Sequence, residues 1–555
     1  MIKREIIKSL KKITKLKEEE INNILEIPPD KKFGDYSFPC YSLAKKIKKD
    51  PNAIAKFISS EIKSPLIEKT QIIGPYLNIF LDKQKITKLI LNEINKKKDK
   101  FGSQKQGKKI IIEYCAPNTN KPLHLGHLRN ISLGESISRI SSFLGNKVTR
   151  INLVNDRGVH IMQSMLAYKK WGENKEPNKK SDHFVGDFYV MFSRKADDKL
   201  NKEAQDLLLK WESKDKETIL LWKKMNKWAL DGFEETYKRL GIKFNKTYYE
   251  SELYNKGKDI VTKGLKKGVF KEDKDNNIIA DLSPYNLPNK ILLRGDKTSI
   301  YITQDLALAE IKFKDYNPDL SIYVVASEQS LHFKQLFAIL DQLKSKAAKK
   351  CYHLSYGLVL LPEGKMKSRE GKVVDADNLL DEVIKLAGEE LKSRNREITE
   401  EKTSKIGIGA LKFYLLKMDP VKDMTYNPKE SISFIGETAP YVQYAYARIC
   451  SIMKRTKLPK KINLSLLYLP QELELSSILS RFPDVVEESS KSYKPYMIAN
   501  YLVELTKEFN KFYDTINILN AEPEIRDTRL FLILAVKQVI SNGLYLLGIE
   551  APEEM

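Results

Sequence analysis

The chain has 555 residues, and its composition excludes several classes of protein before any motif is considered. At this length a single hydrophobic core is not enough, so we expect several domains. Hydrophobic residues make up 42% of the chain and charged residues 30%, which is typical of folded globular proteins and not of disordered ones. The apolar run Leu530–Val536 is far shorter than the roughly 20 residues of a spanning helix, so we expect no membrane partner.

The chain is strongly basic, and the excess charge is unevenly distributed. Its 96 Lys and Arg residues outnumber 73 Asp and Glu residues, which gives a formal charge of +23. Such a chain attracts polyanions such as nucleic acid, although a solvated lysine-rich surface gives the same number. The excess is +10 over residues 1–100 but only +1 over residues 401–555. We therefore expect contacts with phosphate mainly upstream of the last domain.

The four cysteines, Cys40, Cys115, Cys351 and Cys450, lie far apart in the sequence. None forms a CxxC pair, which excludes a zinc ribbon and argues against a framework of disulfides. We therefore expect a cytoplasmic protein without structural zinc. The basic N-terminus lacks the apolar core of a signal peptide and is predicted to be the first helix of a folded domain.

Residues 1–105 are predicted to form a small α+β domain. Helical patterns cover residues 1–24 and 51–64, and residues 72–81 have the composition of a buried strand after a Gly-Pro turn. A hydrophilic, lysine-rich linker then ends this domain.

Residues 106–375 alternate between strand and helix, a rhythm that predicts a Rossmann-type, doubly wound parallel sheet. Lysine-rich helices and a polar, hairpin-like segment interrupt this rhythm and indicate an insertion at about 173–290. After it, the pattern predicts a strand over 298–303. Residues 376–430 are predicted to form a connecting helical segment, and residues 431–555 an all-α domain, because apolar spacing there is helical throughout.

The most informative segment joins the first strand of the sheet to its helix. It contains His124, Gly126 and His127, two of the six histidines within four residues. Ligands bind at this edge of an open α/β sheet, and a helix N-terminus offers free N–H groups to phosphate. The histidines could then stabilise charge on a leaving pyrophosphate, and Gly126 would leave room for a flat base. The alternatives are an incidental helix start or a metal-binding pair, which has no third ligand nearby.

A second loop, residues 364–372, is rich in cations and follows the apparent strand YHLSYGLVLL. It carries Lys365, Lys367, Arg369 and Lys372. At the same edge of the sheet these side chains could neutralise a triphosphate, although an exposed basic loop is the alternative for this segment alone.

Together these segments resemble those of class I aminoacyl-tRNA synthetases. HLGH resembles their HIGH signature, and KMKSR (365–369) resembles their KMSKS loop. The flanks IIEYCAPNTNKPLHLGHLRN, VVASEQSLHFKQLF, APYVQYAYARI and GLYLLGIEAPEEM are similar to the arginyl-tRNA synthetase family. This resemblance implies ATP-dependent activation of L-arginine, with Mg²⁺ accompanying ATP, and transfer to the 3' end of tRNA(Arg). It also implies a C-terminal anticodon-binding domain of the DALR type, and we expect a monomer.

The resemblance assigns most of the ATP-binding residues to the two loops. They are His124, Gly126, His127, Lys365, Met366, Lys367, Ser368 and Arg369. The fourth position of the KMSKS pattern, normally lysine, is Ser368 here. The resemblance implies that a lysine just before HIGH compensates, and Lys121 occupies that place. We therefore expect Lys121 and Lys365 to be the main catalytic cations beside His124 and His127.

The family's arginine pocket falls on five residues of this sequence. They are Glu113, Asn118, Tyr301, Asp305 and Gln329. A guanidinium group presents five N–H donors, so its pocket needs carboxylate and amide oxygens. Glu113 and Asp305 could supply the two acids for the guanidinium and the α-ammonium, in either order. A strand residue and a helix cap are the alternatives for Tyr301 and Asp305.

Aromatic residues at both ends of the chain are candidates for contact with tRNA. FGDYSFP near the start resembles the family's N-terminal tRNA-contacting domain and contains Phe33 and Tyr36. Tyr441 and Tyr444 could stack on splayed anticodon bases, and Tyr446 lies beside them. Tyrosines at helical spacing also occur in cores, which is the alternative for these residues.

Two other functions are compatible with parts of the sequence. One is a different adenylyl-transferring enzyme with an HxGH motif, which would not need the long helical C-terminal region. The other is an inactive RNA-binding relative, which would not need both histidines and a second lysine-bearing loop.

Overall fold

The computed structural model of the chain describes residues 2–296, 298, 300–360, 374–456 and 462–555. In these residues the chain forms an N-terminal α+β domain, a central parallel sheet flanked by helices, and a C-terminal helical bundle. The second basic loop, with Lys365, Met366, Lys367, Ser368 and Arg369, lies outside the described residues.

The N-terminal domain is a three-stranded antiparallel sheet covered by helices. Its elements are α1 (Ile2–Thr14), α2 (Glu18–Ile24), β1 (Tyr36–Pro39), α3 (Tyr41–Ile47), α4 (Pro51–Glu61), β2 (Ile67–Ile73), β3 (Tyr76–Leu81) and α5 (Lys83–Lys97). The strand order is β1-β3-β2. The helix predicted over residues 1–24 is two helices, because Lys15 between them takes a left-handed φ of 59°.

The central domain is built on a five-stranded parallel sheet of order β11-β10-β4-β5-β6. Its elements are β4 (Lys109–Glu113), α6 (Leu125–Phe143), β5 (Lys147–Val154), α7 (Val159–Trp171), α8 (Ser181–Lys195), α9 (Asp198–Glu212), α10 (Lys216–Arg239), β6 (Lys246–Tyr249), α11 (Glu250–Lys266), β7 (Lys271–Glu272), β8 (Ile278–Ala280), β9 (Lys290–Leu293), α12 (Tyr301–Tyr316), β10 (Leu320–Ala326), α13 (Ser330–Gln342), β11 (Cys351–Tyr356) and β12 (Val359–Leu360). Strand β4 lies at the centre with Ile110, Ile111 and Ile112 all buried, as expected of a strand covered on both faces.

Two sequence-based predictions for this domain differ from the structure. The insertion predicted at about 173–290 contains β6, which pairs in parallel with β5, so part of this stretch extends the main sheet. Its polar hairpin does form, as the separate antiparallel sheet β7-β8-β9. Within the strand predicted over 298–303, the last three residues are instead the first turn of α12, because Ile302, Leu306 and Phe313 are buried at helical spacing.

The C-terminal part is helical apart from one short strand. Its elements are α14 (Ala376–Ser393), α15 (Glu400–Leu416), β13 (Met424–Thr425), α16 (Pro428–Ser431), α17 (Ala439–Lys454), α18 (Pro470–Ser492), α19 (Tyr496–Thr515) and α20 (Pro523–Leu546). Strand β13 pairs in parallel with β12, so the segment between the central sheet and the bundle is not purely helical as predicted.

Among the described helices, α20 is the one with the length and hydropathy of a membrane span. The apolar run Leu530–Val536 lies inside it and had been too short to predict a spanning helix. Inside the protein, 67% of its most apolar window is buried. Leu532, Ile533 and Val536 are fully buried, and the helix packs against α17, α18 and α19. Helix α20 is therefore the core helix of the C-terminal bundle.

The catalytic and C-terminal parts share one continuous core around the helix that carries HLGH. The Ser136 hydroxyl of α6 donates to the Leu546 carbonyl at the end of α20, at 2.9 Å. The buried ammonium of Lys412 donates to the carbonyls of Leu240 and Gly548, each at 2.8 Å. These bonds fix the end of the last helix against α6 and α10.

Candidate active site

The HLGH segment begins α6 just beyond the carboxyl end of the central strand β4. The Nδ1 atom of His124 accepts a hydrogen bond from the Gly126 N–H, and the His124 N–H donates to Nδ1 of His127, each at 3.1 Å. The two ring centroids are 3.9 Å apart. Because both Nδ1 atoms are acceptors, each neutral ring carries its proton on Nε2. Two Nε2–H donors therefore remain for a ligand.

Both histidines are uncharged at neutral pH. Burial, helped by the nearby Lys121 ammonium, lowers the pKa of His124 to about 3. Burial, His124 and Lys121 hold the pKa of His127 well below its ordinary value. Lys121 is itself largely buried, which lowers its pKa, and no carboxylate pairs with it in the described part of the chain. The site thus combines two neutral donors with one unpaired cation.

Gly126 makes the histidine arrangement possible. A Cβ atom at this position would lie 3.0 Å from both Cε1 and Nδ1 of the His124 ring. The sequence predicted that this glycine leaves room for a base, and the structure adds a closer reason: the ring of His124 folds back over it.

The segments that flank the undescribed residues 361–373 are both bound to α6. The Leu125 N–H donates to the Val374 carbonyl at 3.0 Å. On the other side, the buried guanidinium of Arg129 donates to the carbonyls of Gly357 and Leu358, at 2.7 and 2.9 Å. Val374 and Leu358 are therefore both fixed to the first turns of α6, the helix that the histidines begin.

A cavity of about 180 Å³ opens beside His124. Lys121, Lys179, His183 and Tyr189 contribute to its wall. Asp187 and Asp375 also line it, and they pair with Lys179 and His183. Lys121 is therefore the cation of this wall that keeps its charge available to a phosphate among the described residues.

Three of the five predicted arginine-binding residues lie in the first two turns of α12 and in the turn before α13. Asp305 lies one turn after Tyr301, whose side chain is exposed. The Oδ2 atom of Asp305 is 2.6 Å from Nε2 of His332 in α13. Gln329 is exposed in a 3₁₀ turn directly before α13. The contact with His332, which sequence reasoning missed, therefore joins the two segments that carry Tyr301, Asp305 and Gln329.

Glu113 occupies the end of β4, but its charge is balanced within the protein. Its Oε2 atom accepts from the Lys312 ammonium at 2.7 Å, and both side chains are buried. The same ammonium lies 3.7 Å from the centre of the Tyr323 ring. Glu113 is therefore a fixed hydrogen-bond acceptor whose charge is already balanced. The sequence predicted it as one of the two acids for the guanidinium and α-ammonium groups, and its negative charge is less available for that part.

Glu250 is a second acid at this edge that sequence reasoning missed. It opens α11 directly after β6, is 4% exposed, and its Oε2 atom has no hydrogen-bond partner within the described ranges. Burial raises its pKa to about 7, against the effect of Arg157, and the charges of Asp156 and Asp305 add to the rise. The sequence feature that could have predicted it is an acid directly after a strand. It was missed because this segment was assigned to the insertion.

Asn118 lies where the loops after β4 and β5 pair with each other. It forms an isolated parallel bridge with Asn155, and the Thr119 N–H donates to the Asn155 carbonyl at 3.1 Å. The backbone carbonyl of Asn118 accepts from the Lys121 N–H at 3.4 Å. The pairing thus holds Asn118 and Lys121 in the loop that leads to the histidines.

One group of side chains in the described ranges has the composition of a metal site, namely Asp182, His183 and Asp377. The Lys180 ammonium already lies 2.8 Å from Asp182 and 2.9 Å from Asp377. Hydrogen bonding to Asp377 raises the pKa of His183, although burial opposes it. The group is therefore a buried ion-pair network whose cations are supplied by the protein.

The C-terminal bundle contains a separate aromatic and basic cavity of about 480 Å³. The Arg448 guanidinium lies 5.0 Å from the Tyr444 ring centre and 4.6 Å from that of Tyr513. Tyr441 is only partly buried, whereas Tyr446 is 8% exposed and belongs to the core. Stacked rings and a guanidinium are groups that bind unpaired bases.

In the N-terminal domain the two predicted tRNA contacts differ. Phe33 is partly exposed, and the Lys32 ammonium lies 4.9 Å from its ring centre. Tyr36 is only 7% exposed in β1. Tyr36 therefore offers a partner far less surface than Phe33 does, and its contact with tRNA stays a prediction.

Three protein-family models together match most of the chain. Residues 1–81 match the arginyl-tRNA synthetase N-terminal domain, residues 86–427 the catalytic domain of class I tRNA synthetases (R), and residues 442–555 the DALR anticodon-binding domain. An arginine–tRNA ligase of Treponema denticola is 46% identical, covering 98% of this chain and 96% of that one. The arginine–tRNA ligase of Parabacteroides distasonis is 42% identical, covering 94% of each.

Solved structures give the same result. The arginyl-tRNA synthetase of Thermus thermophilus superposes with a TM-score of 0.87 at 26% identity and covers both chains completely. The enzyme from Plasmodium falciparum, at 23% identity, has the same fold with a TM-score of 0.82 over 100% of this chain and 98% of its own. By its sequence over almost its full length, this chain belongs to the arginyl-tRNA synthetase family of class I aminoacyl-tRNA synthetases.

Proposed function

We propose that this protein is an arginine–tRNA ligase. The carboxylate of L-arginine attacks the α-phosphate of Mg²⁺-bound ATP, which gives arginyl-adenylate and pyrophosphate. The arginyl group then passes to the terminal ribose of tRNA(Arg), and AMP leaves. The observation that carries the proposal is that one sheet edge combines phosphate-binding groups at the start of α6 with the acids Asp305 and Glu250.

The phosphates of ATP are bound at the N-terminus of α6. The Nε2–H groups of His124 and His127 donate to phosphate oxygens without carrying charge, because both rings are neutral. Lys121 supplies positive charge that is not already committed to a carboxylate in the described chain. Lys365, in the loop outside the described residues, is proposed as the second cation, and Met366, Lys367, Ser368 and Arg369 as its neighbours at ATP.

Arginine is bound on the side of α11, α12 and α13. Asp305 and Glu250 provide the negative charge for the guanidinium and α-ammonium groups, because the charge of Glu113 is balanced by Lys312. Tyr301, Gln329 and Asn118 complete the proposed pocket through hydroxyl and amide groups. A pocket that depends on buried hydrogen-bonding groups rejects analogues that lack a guanidinium, so no editing domain is needed.

The tRNA is proposed to contact both ends of the chain. Tyr444, Arg448 and Tyr513 would stack on unpaired bases of the anticodon loop, with Tyr441 at the margin of the same helix. The basic N-terminal domain, with Phe33 partly exposed beside Lys32, would contact the phosphates of the outer corner of the tRNA. We expect a monomer in the cytoplasm, where the four free thiols of this chain remain reduced.

The decisive experiment is aminoacylation of total tRNA with each of the twenty amino acids in turn. We expect arginine to be charged far faster than any other. Preferential charging of another amino acid would overturn the assignment of the pocket. Absence of any charging, together with retained binding of tRNA, would instead favour an RNA-binding relative.

A further inference from the structure

His332 forms a side-chain contact with the proposed guanidinium ligand. Its Nε2 atom lies 2.6 Å from Oδ2 of Asp305, and only 17% and 24% of the two side chains are exposed. His332 is the third residue of α13, whereas Asp305 lies on α12. The contact therefore bridges two helices and is not a consequence of local sequence.

We propose that His332 is a positioning residue for arginine selection, which holds one oxygen of Asp305 so that the carboxylate faces the guanidinium of the substrate. This inference rests on the proposed function. A carboxylate has two acceptor oxygens, so Asp305 can keep His332 on Oδ2 and still accept from the substrate.

His332 lies in the first turn of α13, and α13 packs against α12, the helix that carries Asp305. The direction of the bond between the two side chains is therefore set by the packing of two helices. With one oxygen held in this way, the Asp305 carboxylate faces the substrate in a fixed direction.

The same contact sets the spacing of the pocket. Gln329 lies three residues before His332, in the turn that leads into α13, and Tyr301 lies one turn before Asp305 on α12. Loss of the His332 contact would allow these two segments to move apart. We therefore expect a change in arginine binding and not in ATP binding, because the ATP groups are on α6.

The test is steady-state aminoacylation by the full-length enzyme at saturating tRNA, with arginine and ATP varied separately. His332→Ala should raise the KM for arginine about ten-fold, the usual scale for a hydrogen bond to a charged group. The KM for ATP should not change. His332→Gln should recover part of the loss, since its amide N–H can donate to Asp305. His160→Gln is the matched control, because the exposed ring of that histidine contacts Gln163 of its own helix, α7.

A double-mutant cycle with Asp305→Asn separates the inference from the proposed function. If His332 acts through Asp305, His332→Ala should have little further effect on the KM for arginine in the Asp305→Asn background. Additive effects, or an equal rise of both KM values in His332→Ala, would overturn the positioning role while leaving the pocket in place. An Asp305→Asn enzyme with an unchanged KM for arginine would overturn both. Thermal unfolding of each variant identifies any that fail to fold. If His332→Ala does not fold, the KM for arginine of His332→Gln is used instead in the comparison with the parent enzyme and in the cycle.

Discussion

The side chains of His124 and His127 both cap the N-terminus of α6. The His124 N–H donates to Nδ1 of His127, and Nδ1 of His124 accepts from the Gly126 N–H. In a capping box these positions are usually Ser or Thr and Glu or Gln, whose side chains are used up by the cap. An imidazole has a second nitrogen on the far side of the ring. The two histidines can therefore cap α6 and still present Nε2–H groups to a phosphate.

Because this arrangement keeps His124 neutral, its contribution to stability should depend on pH. The folded pKa of about 3 is below the ordinary histidine value of 6.5, so between these values the unfolded chain binds a proton that the folded chain does not. Stability should therefore fall as the pH falls below 6.5. The variant His124→Asn keeps a capping acceptor but does not titrate. Between pH 7 and pH 5 its free energy of unfolding, measured with urea, should fall by about 2 kcal/mol less than that of the parent protein.

His183 is the opposing control for this measurement. Its pKa is raised by Asp377, so its stabilising effect is present below its ordinary pKa and is lost as the pH rises through the folded value. His183→Asn should therefore change the pH slope with the opposite sign. Equal slopes for both variants and the parent protein would contradict the assigned protonation states.

Gly126→Ala should damage catalysis more than stability. The added Cβ would lie 3.0 Å from the His124 ring, which must shift and carry its Nε2 donor with it. Because the shift is only a few tenths of an ångström, we expect the kcat for aminoacylation to fall by less than the roughly 100-fold that misplacing a catalytic group by about 1 Å costs. Gly388→Ala is the matched control, because its Cβ would make only an ordinary 3.5 Å contact with Thr403. Similar losses in both variants would indicate a general effect of the substitution.

Lys121→Ala should slow activation strongly, since Lys121 has no described carboxylate partner and can direct its charge at phosphate. We expect kcat/KM for ATP to fall about 100-fold, as when a preorganised charge at a transition state is removed. Lys367→Ala should have an equal or smaller effect if Lys121 compensates for the altered second loop. The reverse ranking in the same assay would refute that compensation.

Glu250→Gln should weaken the use of arginine and change its dependence on pH. The pKa of Glu250 is about 7, so the charged form that attracts arginine increases from pH 6 to pH 8. In the parent enzyme the KM for arginine should fall over this range, and in Glu250→Gln it should be about ten-fold higher and less dependent on pH. Glu252→Gln, an exposed acid in the same helix, is the control. An unchanged KM would remove Glu250 from the pocket.

Arg448→Ala should affect tRNA without affecting the small substrates. The guanidinium lies between the rings of Tyr444 and Tyr513, so its removal also releases both rings. We expect the KM for tRNA to rise on the order of 10-fold, as for the loss of one stacking group, while the KM values for arginine and ATP stay the same. Tyr446→Phe, on the buried face of α17, should leave all three unchanged.

The order of the domains could be predicted from the sequence because their hydrophobic periods differ. Alternation of strand and helix predicted the parallel sheet, and unbroken helical spacing predicted most of the C-terminal part. The place of β6 in the main sheet could not be predicted in this way. Strand pairing is a long-range contact, and a four-residue strand among polar helices has too little periodicity to reveal it.

The sequence by itself determined which residue types the site has. They are two histidines and a lysine around the start of a helix, and acids and amides near the ends of strands. Only the tertiary structure decided which of their charges remain available. Glu113 is balanced by Lys312, which is 199 residues away in the chain, and Asp305 is held by His332 on another helix. Glu250 keeps one buried oxygen that has no hydrogen-bond partner among the described residues. Ionisation depends on burial and on neighbours in space, and these are fixed only when distant segments pack together.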